Sequence, residues 1–154
     1  MKYKLGTKGF KLIIDIEKLR LESYEDAVNV WTIGYGTTRL NGYPVSAGMV
    51  INEPVAHALM YGECQDILKL IENAVSINLN QNQVDALVSF AYNIGKQGFI
   101  SSSLLTAINS KMIINEDLFT RWNKGRVNGV LTVLNGLTKR RKREYQLFTS
   151  KEGL

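Results

Sequence analysis

Apolar residues recur at helical spacing along most of this chain and alternate at strand spacing in one stretch. Phe10, Ile13, Ile14 and Leu21 share one helical face, and Leu12, Ile16 and Leu19 form a second strip. Lys11, Asp15, Lys18 and Glu22 make the wet side, so the pattern predicts a first helix from Thr7, a suitable N-cap, to about Glu22. A second helix starts near Asn52 with Pro54 in its first turn and runs to about Ala74. A third begins at Asn80, where Gln83 completes a capping box. Its apolar positions are Val84, Leu87, Val88 and Ala91, and Gly95 is its stop. Shorter helices are expected over 101–110 and 115–123, and a last, basic one over 137–149. Residues 24–46 read differently. Tyr24, Val28, Val30, Trp31, Thr32, Ile33 and Tyr35 are strand formers punctuated by Asn29, Gly34, Gly36 and Asn41-Gly42, which predicts a small hairpin sheet. Within 124–136, Asn128-Gly129 reads as a tight turn. The fold class is α+β, mostly helical, with a β-bearing N-terminal lobe and a helical C-terminal lobe.

Only Pro44 and Pro54 break the chain, and no linker or repeat appears. The 154 residues therefore read as one domain: an N-terminal lobe of about 1–52, a connecting helix of about 52–75 and a C-terminal lobe of about 76–154. With 45% hydrophobic and 21% charged residues, low-complexity disorder is excluded. The net charge of +5 favours a polyanionic partner: nucleic acid, an anionic membrane or a bacterial wall. One cysteine, Cys64, and one histidine, His57, exclude an internal disulfide and a Cys/His zinc site. Seven residues apart on one helix, they also lie about 10 Å apart along the axis, too far for a nucleophile–base pair. No phosphate-binding glycine loop occurs. No metal or cofactor is expected, and any catalysis falls to carboxylates. No segment has the roughly 18 apolar residues needed to cross a membrane, and the basic N-terminus lacks the apolar core of a secretory signal. The expectation is synthesis in the cytoplasm.

Among the early acids Asp15, Glu17, Glu22 and Glu25, only Glu17 falls within an apolar helical face. Such surroundings raise a carboxyl's pKa, which suits a general acid, although on pattern alone a buried Glu paired with an Arg for structure is the plainer reading. Trp31, Ile33 and Tyr35 alternate with Val30, Thr32 and Gly34, which turns Thr32 away from the aromatic face with a hydroxyl able to hold water. Asp26 lies in a turn-prone segment, solvated and ionised. Two carboxylates in different surroundings are the arrangement of glycoside hydrolysis. Taken singly, a turn acid and a strand hydroxyl are the plainer readings of Asp26 and Thr32.

The joint spacing goes further. Glu17, then Tyr24-Glu25-Asp26, then Thr32-Ile33-Gly34-Tyr35-Gly36 resembles the phage-type lysozymes, the endolysins and muramidases of bacteriophages. The likeness continues in 81–95, in Phe99–Leu105, in Arg121-Trp122-Asn123 and in Gly136–Arg141 with Glu144, in the family's order over nearly the whole chain. The resemblance implies a lysozyme-like fold with a cleft between its lobes. It also implies an endolysin that cuts the β-1,4 bond between N-acetylmuramic acid and N-acetylglucosamine in peptidoglycan and so lyses the host. Glu17 would be the acid, Asp26 the carboxylate supporting water and oxocarbenium charge, and Thr32 the residue orienting that water. An inverting route is expected, for which the carboxyls must stand roughly 6.5–9.5 Å apart. Tyr92, Asn93 and Ser102 match cleft-lining positions that would bind substrate. Arg140 or Arg141 would be the charge partner of Glu17. The chain would act as a monomer on periplasmic peptidoglycan, without stable membrane insertion or nucleic acid, after release by a separate holin-like protein.

Three positions depart from the family pattern. Lys18 stands where Gly usually follows the acid, Asn29 replaces the turn Gly, and Thr37 replaces a common His, so a His–carboxylate pair there is absent. Three alternatives compete. A nucleic-acid module would rest on Lys139–Arg143, five basic residues that point all around a helix, with no aromatic stacking platform. A wall-binding protein of the same fold would have lost the chemistry. A lytic transglycosylase would replace water by a sugar hydroxyl.

Overall fold

The computed structural model describes residues 1–151. Helix α1 spans Thr7–Ile16, followed by the strands β1 (Arg20–Glu25), β2 (Trp31–Gly34), β3 (Arg39–Leu40) and β4 (Tyr43–Pro44). Helices α2 (Glu53–Ala74), α3 (Gln81–Ile94), α4 (Lys96–Ser101), α5 (Ser103–Asn109) and α6 (Asp117–Thr120) come next. A hairpin, β5 (Lys124–Val127) with β6 (Val130–Val133), precedes α7 (Asn135–Thr149). The strands form three two-stranded antiparallel ribbons. Two of them, β3–β4 and β5–β6, turn on Asn41-Gly42 and Asn128-Gly129, with φ of 50° and 82° and of 50° and 79°, the left-handed pair that matches strand twist.

The chain divides into two compact units, one of Ile13–Glu63 and one of Met1–Leu12 with the chain from Cys64 onward. The opening of α1 thus belongs to the helical unit, whereas the sequence placed all of 1–52 in the N-terminal lobe. In the smaller unit, Ile13, Ile33, Tyr35, Val45, Ala56 and Met60 are buried. The helical unit has its core on α3. From Val84 to Ala91 every residue of that helix is buried, with Phe99, Leu104, Phe119 and Phe148 around it. Phe90 meets Phe119 edge-on at 5.4 Å between ring centres, and Phe119 meets Phe148 at 5.7 Å.

The capping box on α3 forms as its sequence demands. Asn80 accepts from the Gln83 N–H at 2.8 Å, and the Gln83 side chain accepts from the Asn80 N–H at 2.9 Å. The start of α1 is different. Thr7 is its first helical residue rather than its cap, and the cap comes from α3. There, buried Asp85 accepts the Gly6 N–H at 2.7 Å and the Gly9 N–H at 3.0 Å. Gln81 Nε2 supplies a further bond to the same carboxylate at 2.8 Å. Such close approach needs glycine: a Cβ on Gly9 would lie 2.8 Å from the Asp85 Cβ, well inside contact distance. Asp85→Ala leaves the helix-start amides without an acceptor. It should cost about 2 kcal/mol, read as a lowered urea midpoint; an unchanged midpoint would show the cap to be idle.

The expected first helix is also shorter than its apolar pattern. It stops at Ile16, the Glu17 N–H closing onto the Ile13 carbonyl at 2.8 Å. The chain then pairs as a strand, Tyr24 opposite Thr32 and Glu25 opposite Trp31. Leu21, read as part of the helix face, is exposed on β1. Tertiary pairing overrides local propensity here.

Candidate active site

Glu17 is the first residue beyond α1 and is half-buried. Its place on an enclosed apolar helix face, expected from the pattern, therefore gives way to a position at a helix end. Its Oε2 lies 3.5 Å from where a Cβ on Gly36 would stand, and Gly36 has φ of +90°. A side chain at 36 would be strained by the backbone, and its Cβ would stand in ordinary van der Waals contact with the carboxylate, which places the Gly34-Tyr35-Gly36 turn beside the proposed acid.

Asp26 and Thr32 are joined through one residue. The Asp26 carboxylate accepts the backbone N–H groups of Val28 and Val30, both at 2.9 Å. The Asp26 N–H in turn donates to the Val30 carbonyl at 3.0 Å. The Thr32 hydroxyl donates to that same carbonyl at 3.0 Å. Asn29 makes the turn possible with φ of 62°, taking the left-handed conformation expected of a Gly substitute. A hydroxyl has one donor and two acceptor lone pairs. With its proton engaged on Val30, the Thr32 hydroxyl keeps its acceptor lone pairs. Strand alternation had assigned β2 a dry and a wet face, yet Thr32, Ile33, Gly34 and Tyr35 are all buried, so both faces are covered.

Sequence reasoning missed two features of this unit. The Tyr35 hydroxyl lies 3.0 Å from His57 Nε2, with their rings 5.4 Å apart, and His57 is 3.7 Å from Glu53. Burial, and then the negative charge of Glu53, push the Tyr35 phenol above its ordinary value, so it stays protonated. A Tyr at 35 and a lone His on α2 carry no sequence signal that they meet. The other feature is the Val30 peptide itself, which side-chain motifs cannot reveal.

The remaining candidates belong to the helical unit. Asn93 is exposed near the end of α3 and accepts from Arg141 Nη2. With Ile94, Trp122, Lys124 and Leu137 it lines an open pocket of about 350 Å³. Tyr92, beside it, is half-buried. Ser102 is 1% exposed and caps α5: its hydroxyl donates to the Phe99 carbonyl at 2.7 Å and accepts from the Leu105 N–H at 3.1 Å. That hydroxyl is engaged inside the fold, so the structure gives Ser102 a capping role in place of a surface contact.

Arg140 and Arg141 both meet Glu144 on their own helix, at 3.2 Å each, and all three are buried. Ser89 on α3 donates to Glu144 at 2.8 Å. The five-residue basic run is therefore no solvated face throughout: Lys139, Lys142 and Arg143 are exposed and the two arginines between them are not. The i, i+4 spacing of Arg140 and Glu144 is the sequence signal that could have shown this. Among the described residues no group of His, Cys, Asp and Glu could hold a metal ion.

Known proteins resemble this chain in sequence and in fold. The phage lysozyme family profile matches residues 14–144. An endolysin of Acyrthosiphon pisum secondary endosymbiont phage 1 is 36% identical over 147 residues, covering 95% of this chain and 98% of that protein. The endolysin of Bacillus phage PZA is also 36% identical, over 96% of this chain, but this chain spans only 55% of its length. Among solved structures, an endolysin from the Escherichia coli phage FAHEc1 superposes with a TM-score of 0.87 at 33% identity, covering 97% of this chain and 95% of that one. The muramidase domain of SpmX from Asticaccaulis excentricus gives 0.85 at 32% identity, covering 97% and 100%.

Proposed function

Because this chain belongs to the phage lysozyme family, we propose that Glu17, Asp26 and Thr32 hydrolyse the β-1,4 bond between N-acetylmuramic acid and N-acetylglucosamine. The protein is a lysozyme-type glycoside hydrolase of bacterial peptidoglycan. The observation that carries the residue assignment is the shared anchoring of Asp26 and Thr32 on Val30. It presents an acceptor hydroxyl and a carboxylate from one turn, the set that orients a water and withdraws its proton. Glu17 protonates the leaving oxygen. An inverting route follows if a water stands between the carboxyls, which calls for a separation of roughly 6.5–9.5 Å. Tyr92 and Asn93 contact the glycan, an aromatic ring for a sugar face and an amide for an acetamido group, while Ser102 caps α5.

The protein works as a monomer and without nucleic acid. No described helix is long and apolar enough to cross a membrane, which fits release to the wall by a separate membrane-permeabilising protein.

Mass spectrometry of fragments from purified sacculi tests the reaction. Fragments with a reducing N-acetylmuramic acid are expected. Anhydro fragments, lighter by one water, would assign the chain to the lytic transglycosylases, and binding without any release would leave a wall-binding protein. Early NMR spectra of the products read the stereochemistry: the α-anomer first means inversion, the β-anomer first retention.

A further inference from the structure

We propose that the β5–β6 hairpin is a contact surface for an anionic lipid bilayer, engaged at headgroup depth. The ribbon is two-stranded, with no third strand beside it among the described residues. Its aliphatic side chains are exposed: Val127 by 45%, Val130 by 65%, Leu131 by 57% and Val133 by 53%. Isolated exposed aliphatics are ordinary, but this short ribbon carries two on each face, so both of its faces are partly apolar.

The register sets what lies on each face. Lys124 pairs with Val133 and Arg126 with Leu131, so one face interleaves two cations with two aliphatics; Val127 pairs with Val130 on the other face, beside the turn. A surface built this way fits a partner that is both negatively charged and apolar a few ångströms deeper. The interface of an anionic bilayer is that partner. A second copy of the chain is disfavoured, because facing ribbons would set Lys124 and Arg126 against their own charges. A glycan strand offers no apolar layer for Leu131 and Val133. Depth is limited by the free outer edges of the ribbon, whose backbone groups need water, so the hairpin lies in the interface and does not cross it. The Arg126 Nη1 bond to the Gly129 carbonyl at 3.1 Å keeps the charge beside the turn. The net charge of +5 adds attraction of the same sign.

The test uses the full chain with two sets of vesicles, phosphatidylcholine alone and phosphatidylcholine mixed with phosphatidylglycerol, read by co-sedimentation. Binding to the mixed vesicles is expected and binding to the neutral ones is not. The pair Val130→Asp and Leu131→Asp, both exposed and so harmless to folding, should weaken it about tenfold or more while leaving release of fragments from purified sacculi unchanged. Arg126→Glu should weaken it further at low salt than at high salt. No vesicle binding, equal binding to both compositions, or binding indifferent to the Asp pair would each overturn the proposal. Loss of sacculus digestion in the Asp pair would overturn it too, by assigning the hairpin to the wall.

Discussion

Glu17→Gln should slow clearing of outer-membrane-permeabilised cells by about 10²–10⁴-fold, with folding unchanged. The amide matches the carboxyl in size and leaves the helix-end bond from the Glu17 N–H to Ile13 intact. What it loses is an ionisable proton. An amide cannot protonate a glycosidic oxygen as the bond breaks, whereas the anchoring of Asp26 and Thr32 on Val30 is untouched in the variant. The expected result is an enzyme that binds the wall normally and turns over slowly, so the loss lies in kcat with little change in KM. Equal clearing by both proteins would remove Glu17 from the chemistry. It would leave the exposed basic residues of α7 and the β5–β6 hairpin to account for lysis by acting on membranes, which loss of clearing on purified sacculi would then show.

How much of this the sequence disclosed depends on whether a feature is local. The capping box of α3 lies within four residues and forms as read, and α2 begins and ends within a residue of its predicted bounds. Asn29 and the two Asn-Gly turns are equally local, since a left-handed φ is a property of the residue and its neighbours. The long-range features stayed hidden. Asp85 reaches back 76 residues to cap α1, and nothing near Asp85 in the sequence announces it. The β5–β6 ribbon went unread beyond its turn because its aliphatics face outward on both sides and give no period-two contrast. Helix α4 was missed because Gly95 looks like an end and serves as both an end and a start. At the proposed site the three side chains were legible as a spacing. The peptide of Val30 that links two of them, and the exclusion of a side chain at Gly36, became visible only with coordinates. The chemistry proposed for the site is thus in its residue types, and the anchoring that joins Asp26 to Thr32 is in the main chain.

Arg140→Met should cost about 3–5 kcal/mol of stability at neutral pH, and the cost should shrink as the solution is acidified. Arg140 gives Glu144 an ion pair at 3.2 Å and donates to the Ser89 carbonyl at 3.1 Å, all out of contact with water. Two arginines around one buried carboxylate need not add net stability, because each charge was costly to desolvate; removing one partner is what leaves an uncompensated charge inside. Burial is the largest influence on Glu144 and pushes its carboxyl above the ordinary value of 4.5, against the pull of Arg141 and then Arg140. A carboxyl raised in the folded state holds more protons there than in the unfolded chain. The contribution of Glu144 to stability therefore falls as pH rises from 4.5 through the raised value. With Arg140 gone the raised value climbs higher and the window widens, so the gap between variant and wild type opens with rising pH and narrows toward pH 4.5. Urea midpoints of both proteins across that range measure the gap directly. A gap constant in pH would mean that lost packing against Ser89, and not the charge left on Glu144, sets the cost. A gap that widened on acidification would mean a Glu144 carboxyl lower in the variant than in the wild type, the reverse of what losing a cation does, and would overturn this account.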